Sequence, residues 1–213
     1  MPLSAILYAC MNTDALIIFV KNPLPGRVKT RLAKAIGEQE AVAIYRQLLL
    51  HTYNITMKCN ADKFVFYGDF INEDDLWTSG NFNKYLQYGD NLGERLMHAF
   101  DTLFIQGYKN VVVIGSDCID IETKHLLQAF YYLKVCDTVI GPAKDGGYYL
   151  LGMKKMHEQL LLNKTWSTPV LFQETLNDIS LLRLSYHLLQ VLSDVDEEKD
   201  LYLEERIALG DAS

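Results

Sequence analysis

The sequence predicts an α/β fold, three α/β/α layers around a mostly parallel central sheet, and three observations carry that expectation. Runs such as Val111-Val112-Val113-Ile114 are apolar at every residue rather than at alternate ones, which marks a strand covered on both faces. Such runs alternate with longer stretches in helical period, the pattern of strand-helix-strand units. The chain of 213 residues, 49% hydrophobic and 22% charged, is long enough for one substantial domain, and no linker-like, repeated or low-complexity stretch divides it. We therefore read 1–213 as a single domain, with 1–14, which lack a clear period, as a loose N-terminal extension.

Residues 15–20 are the first buried strand, followed by a loop over 21–31 in which Pro23 and Pro25 restrict the residues before them and Gly26 permits a turn. Helical period runs from 39 to 57, with Val42, Ile44, Tyr45, Leu48, Leu49 and Tyr53 on one broad apolar face. A second strand covers 63–68. The polar, acidic stretch 72–83 reads as a surface connection to a short strand at 85–88. Asn91 is placed to cap a helix, with Glu94 completing a capping box and Leu92, Leu96, Ala99, Phe100, Leu103 and Phe104 in helical spacing.

The central strand, 110–114, ends in Gly115-Ser116-Asp117-Cys118. Asp120 stands next to the following helix, whose apolar face is Leu126, Leu127, Phe130 and Leu133, and reads as its cap. Strands at 137–142 and 148–153 are separated by Ala143-Lys144-Asp145-Gly146-Gly147. Helices are expected at 156–162 and 168–178, a strand at 187–192, and a last helix from Glu197.

A net charge of −7 and a pI near 5.2 argue against nucleic acid or an anionic membrane as partner, since binding to either rests on excess Lys and Arg, so the substrate is expected to be small. No apolar run approaches the roughly 18 residues of a membrane helix, and no secretory leader is evident, so we expect no membrane insertion and a cytoplasmic protein. Cys10, Cys59, Cys118 and Cys136 form no C-x-x-C pair and read as free thiols. Nothing in the sequence bears on oligomeric state.

Against that acidic background, Lys21, Arg27, Lys29, Arg31 and Lys34 fall within 14 residues that contain no acid. Placed after a strand and before a helix, they suit phosphates, through bidentate Arg contacts, Lys point charges and amides freed by Gly26. Neither the Walker pattern nor G-x-G-x-x-G is present. Asp117 lies just past the carboxyl end of the central strand, the edge where open α/β sheets bind ligands, and a carboxylate there can hold a divalent cation against a phosphate. Gly146 and Gly147 allow close backbone approach and Asp145 can accept from sugar hydroxyls; a tight turn is the plainer reading. Trp166-Ser167-Thr168 is a helix entry or a wall for a base or sugar. Asp194, Asp196, Glu197, Glu198 and Asp200 suit the first turn of a helix, and one of them reaching Asp117's cation would complete a two-acid site.

Taken in order, Phe19-Val20-Lys21-Asn22-Pro23, Gly26-Arg27-Val28-Lys29-Thr30-Arg31-Leu32, Asn91-Leu92-Gly93-Glu94-Arg95, Gly115-Ser116-Asp117-Cys118, Gly141-Pro142 with Asp145-Gly146-Gly147-Tyr148, Trp166-Ser167-Thr168, and Asp194-Val195-Asp196 with Asp200-Leu201 carry a resemblance. As a set they resemble the glycosyltransferase-like family known as domain of unknown function 2064, which has the nucleotide-diphospho-sugar transferase (GT-A, Rossmann-like) fold and includes proteins assigned to arsenosugar biosynthesis. Ile119 departs from the pattern, which has proline there. The resemblance implies a nucleotide over the first strand's loop, held by Lys21, Gly26, Arg27, Lys29 and Arg31, and Mg²⁺ or Mn²⁺ on Asp117. A more distant similarity to phospholactate guanylyltransferases and cytidylyltransferases implies Asp196 as second metal ligand; a shared ion then requires the Asp117 and Asp196 carboxylates within about 8 Å, with Asp194 the alternative because alternate residues of an extended segment point to opposite faces.

The expectation is a transferase in which Asp117, Lys29 and Arg31 are catalytic and Asp145, Gly146, Gly147 and Trp166 hold substrate. Three activities stay open: a metal-dependent glycosyltransferase passing sugar from a nucleotide-sugar to a small acceptor, a nucleotidyltransferase joining an NTP to a small phosphorylated or carboxylated substrate, and a non-catalytic nucleotide-binding protein.

Overall fold

The computed structural model describes residues 12–78 and 80–193. One sheet runs through them, built from β1 (Asp14–Val20), β2 (Asp62–Tyr67), β3 (Asn83–Leu86), β4 (Asn110–Ile114), β5 (Thr138–Pro142), β6 (Tyr148–Met153) and β7 (Tyr186–Leu188), in the order β3-β2-β1-β4-β6-β5-β7. β1 pairs in parallel with both β2 and β4, so that Ile17 stands beside Phe64 on one side and Val113 on the other. β6 runs antiparallel to β4 and β5, because the connection 143–147 is too short for the crossover that parallel neighbours require.

The helices are α1 (Thr30–Ile36), α2 (Glu38–Met57), α3 (Leu92–Ile105), α4 (Thr123–Leu133) and α5 (Leu171–Leu181). Alternation along β1 divides the core between the two faces of the sheet. Leu16, Ile18 and Val20 pack with Tyr45, Leu48 and Leu49 of α2 and Leu126, Phe130 and Leu133 of α4. Ala15 and Ile17 pack with Leu96, Phe100 and Leu103 of α3 and Ile179 of α5. Each of these large side chains contributes roughly 1.5–3 kcal/mol by leaving water. The predicted α/β/α layering is therefore the observed one.

Several element boundaries differ from the sequence reading, each for a local reason. The loop after β1 ends in a helix, α1, which buries Leu32 alone and so shows no apolar stripe in sequence. Gly37 (φ 93°) separates it from α2. β3 begins at Asn83, ahead of the expected strand. The stretch 72–83 is not merely a surface connection: Trp77 is buried against Tyr53 and Phe82, and Asp75 accepts from the Tyr67 hydroxyl at 2.6 Å and the Lys84 ammonium at 3.0 Å. The cap of α4 is Glu122 rather than Asp120; its backbone N–H donates to Nδ1 of His125 at 2.9 Å. In place of a helix over 156–162 there is a short 3-10 turn, Glu158–Leu160. β7 is brief, yet pairing continues past it through Leu189 N–H to the Ile140 carbonyl and Leu192 N–H to the Pro142 carbonyl. The extension expected over 1–14 lies almost wholly outside the described residues, with β1 starting at Asp14. The helix expected from Glu197 lies outside them as well.

This topology brings three sequence-distant segments to one edge. The carboxyl ends of β1 and β4 are neighbours, and because β6 is antiparallel, its beginning lies beside the end of β4, with Ile114 opposite Leu150. The loops that start at Lys21 and Gly115 and the loop that ends at Gly147 therefore open onto the same space.

Candidate active site

That space is a cavity of about 490 Å³ lined by Lys21, Val28 and Lys29 from the first loop, Gly115 to Cys118 after β4, Asp145 and Gly147 before β6, Trp166, Ser167 and Thr168 ahead of α5, and Gln87 and Arg95 around the start of α3. The position is the ligand-binding edge of an open α/β sheet.

At its centre Lys29 Nζ lies 3.3 Å from Asp117 Oδ2. The lysine side chain is 4% exposed and the aspartate 52%, so the ammonium is enclosed while the carboxylate keeps a face open to the cavity. Lys29 precedes α1 in the left-handed conformation (φ 45°, ψ 44°), a strain that L-residues hold only when their surroundings require it and that gathers at ligand-binding sites. Behind this pair, Lys21 N–H donates to the Tyr45 hydroxyl at 2.9 Å, and that hydroxyl lies 2.9 Å from Ser116 Oγ. The basic loop is thereby tied to the residue before Asp117. Burial, with Asp117's charge adding to it, pushes the Tyr45 phenol far above its ordinary range, so it stays protonated and serves as a hydrogen-bonding strut.

The opposite wall is held from outside. Glu174 of α5 accepts from the Thr165 backbone N–H at 3.0 Å and from its hydroxyl at 2.7 Å, which holds the Glu174 carboxyl below the usual carboxylate range. Lys164, its side chain 3% exposed, pairs with Asp178. Thr168 Oγ1 donates to the Thr165 carbonyl at 2.6 Å, and between them Ser167 takes the left-handed conformation (φ 60°) facing the cavity. The Trp166 ring meets Tyr148 edge-on, centroids 6.2 Å apart. Gly146 (φ 89°) locks this wall to the loop before β6: a Cβ there would lie 2.2 Å from the Pro169 carbonyl oxygen, and its own carbonyl accepts from Phe172 N–H at 2.9 Å. Asp145 turns back on Gly147, accepting its N–H at 2.9 Å.

Of the residues singled out in sequence, Lys21, Lys29, Asp117, Asp145, Gly147 and Trp166 line the cavity. Gly146 lies behind the wall against Pro169. Gly26, Arg27 and Arg31 are exposed outside the lining; Arg27 lies 3.9 Å from Asp69, and Gly26 faces the Glu38 side chain. Asp194 and Asp196 lie outside the described residues, and with them the expected spacing to Asp117. The sequence reading gave no site role to Gln87, whose amide donates to the Phe66 carbonyl at 2.9 Å, or to Arg95, Ser116 and Glu174, and it read Tyr45 only as part of a helix's apolar face. Arg95 stands inside a motif segment noted above; nothing in the sequence around Gln87 marks it.

Among the described residues no group of three or more His, Cys, Asp or Glu side chains gathers into a metal cage. Mg²⁺ and Mn²⁺ are commonly held by one or two carboxylates with phosphate and water completing the shell. A half-exposed carboxylate at the ligand-binding edge of the sheet fits that donor set, with Asp117 as the protein's contribution.

The fold has counterparts among solved structures. A crystal structure from Desulfovibrio desulfuricans G20, provisionally described as a nucleotide-diphospho-sugar transferase, is 31% identical over 95% of this chain and 90% of its own, with a TM-score of 0.85. The fold is shared, at 11% identity and a TM-score of 0.58, with CMP:2-keto-3-deoxy-manno-octonic acid synthetase complexed with CTP, over 93% of this chain and 98% of that one. It is shared too with a manganese complex from Mycobacterium tuberculosis H37Rv, at 12% identity and a TM-score of 0.51, over 92% of this chain and 97% of that one. No curated protein matches the chain. The model of the family described as "Uncharacterized protein conserved in bacteria (DUF2064)" matches residues 52–168, and with the 31% identical relative this shows that the chain belongs to the DUF2064 family.

Proposed function

We propose that this chain is a metal-dependent, cytoplasmic transferase that binds a nucleotide-sugar and passes the sugar to a small acceptor. The observation that carries the reading is the enclosed Lys29 ammonium against the open Asp117 carboxylate at the carboxyl ends of β1 and β4. One group suits a diphosphate oxygen and the other the cation that travels with it. The description of the Desulfovibrio relative supports a nucleotide-sugar as donor, and the manganese complex of the mycobacterial neighbour supports a divalent ion. When bound, Mg²⁺ or Mn²⁺ on Asp117 would stabilise charge on the departing diphosphate. Lys21 and Lys29 hold phosphate oxygens, while Asp145, Gly147 and Trp166 face the transferred group.

A thermal-shift screen of nucleoside di- and triphosphates and nucleotide-sugars, with and without Mn²⁺, should show a metal-dependent rise in melting temperature for one nucleotide-sugar. Turnover should then release nucleoside diphosphate. Release of pyrophosphate from an NTP would overturn glycosyl transfer in favour of nucleotidyl transfer, and binding without turnover that survives Asp117→Asn would mark a nucleotide sensor.

A further inference from the structure

We propose that Arg95 forms a second anion subsite of the cavity, one that takes a carboxylate or phosphate carried by the acceptor. Arg95 belongs to the first turn of α3, is half-buried and lines the cavity. Its Nε donates to the Gly89 carbonyl at 2.9 Å, which fixes one edge of the guanidinium. A guanidinium has five N–H donors, so its terminal nitrogens remain for a ligand. Gly89 makes this bond possible: at φ 135° a Cβ would lie 2.6 Å from Glu94 Cβ and 2.9 Å from the Arg95 backbone nitrogen.

The charge around Arg95 points the same way. Among the described residues no carboxylate forms an ion pair with it, and the nearby acids have other tasks. Glu94 accepts from Asp90 N–H and the Asn91 amide, both at 2.8 Å, Asp117 faces Lys29, and Asp145 accepts from Gly147. A half-buried guanidinium with no counter-charge bears a desolvation cost that an incoming oxyanion removes, and its planar fork matches the paired oxygens of carboxylate or phosphate.

Arg95 also approaches from the other face of the sheet. Val28, beside Lys29, packs in the half-core of α2 and α4, whereas Leu96, beside Arg95, packs in that of α3 and α5. On this proposal the two cations take two separate oxyanions. Assigning the second to the acceptor rests on the transferase reading above; the anion subsite itself does not.

The test is the side-chain Nε–H resonance of Arg95 in ¹⁵N-labelled protein, identified by its loss in Arg95→Lys. Inorganic phosphate or acetate should move it, in native protein and in Lys29→Ala alike, and should still do so with Mg²⁺ and pyrophosphate present at saturation. Arg95→Lys should weaken binding of that anion by about tenfold while leaving pyrophosphate binding unchanged. Movement with phosphate alone assigns a phosphorylated acceptor, and movement with acetate assigns a carboxylated one. A resonance unmoved by either anion, or silenced by saturating pyrophosphate, overturns the second subsite. Failure of every nucleotide in the thermal-shift screen would sink the transferase reading while leaving this result standing.

Discussion

The two walls of the cavity are built in opposite ways. On the first-loop side the lining is carried by a few groups: Lys29 strained ahead of α1, Asp117 half-open across from it, and Lys21 held through its backbone by Tyr45. On the α5 side, Trp166, Ser167 and Thr168 are braced from behind by Glu174, by the enclosed Lys164–Asp178 pair and by Gly146 against Pro169. On the proposed function the two walls divide the labour. Charges that meet phosphate and metal gain from being able to exchange partners when substrate arrives, whereas a surface that selects shape gains from being built beforehand.

The largest expected effect lies on the open wall. Asp117→Asn keeps the size and one hydrogen-bonding oxygen but removes the charge, so turnover should fall on the order of a hundredfold or more, since a metal's Lewis-acid contribution is several kcal/mol. Steady-state rates across a Mn²⁺ titration check it. Unchanged kcat at saturating Mn²⁺ would remove Asp117 from the metal's shell.

Next is a contrast between neighbours on the basic loop. Lys29→Ala removes an enclosed ammonium and should weaken nucleotide-sugar binding by roughly 1.5–3 kcal/mol, the scale of a charge-assisted hydrogen bond. Arg31, exposed outside the cavity lining, should cost no more than about 0.5 kcal/mol on change to Ala, as for most surface substitutions. Calorimetry on both variants separates the cases. Equal losses would mean that the loop folds over the nucleotide and brings Arg31 with it.

The braced wall predicts a smaller, more selective loss. Glu174→Ala leaves Trp166 in place chemically but frees the Thr165 backbone, so affinity for the nucleotide-sugar should fall roughly tenfold, within the hundredfold that misplacing a positioning group can cost, while affinity for the parent nucleoside diphosphate stays unchanged. Equal weakening of both ligands would mean that the two walls are not separate.

How much of this was legible in sequence depended on how local the cause was. β4 could be read because Val111 to Ile114 are apolar on both faces, and the start of α3 because Asn91 accepts from Glu94 N–H three residues on. α1 could not, since one buried leucine makes no stripe. In the cavity lining, Asp117 and Lys29 were legible as candidates because a strand end and a basic loop announce themselves. Charge shows in sequence but direction does not: once α1 begins at Thr30, Arg31 turns to the exterior while Lys29 points inward. Gln87 and Arg95 reach the cavity, and Glu174 the back of its wall, through tertiary packing, and the alternation of apolar residues carries no record of it.

The smallest expected effect is a pH dependence confined to the braced wall. Hydrogen bonds from the Thr165 N–H and hydroxyl, with Lys164's charge helping, hold the folded-state Glu174 carboxyl below its unfolded value. The unfolded chain therefore binds the extra proton first as pH falls, and the brace is fully present above the ordinary glutamate value of about 4.3 and is lost as pH drops through the lower folded value. Trp166 reports on this directly once the buried Trp77 is changed to Phe. Its emission should be constant from pH 7 down to the ordinary glutamate value and should shift red, with greater acrylamide quenching, only below that value, while far-UV circular dichroism still shows the folded chain. Thr165→Ala removes one of the two hydrogen bonds and should move that transition upward, toward the ordinary glutamate value. A transition between pH 5 and 7, or one that Thr165→Ala leaves in place, would show that Glu174 is not what holds Trp166 in the wall.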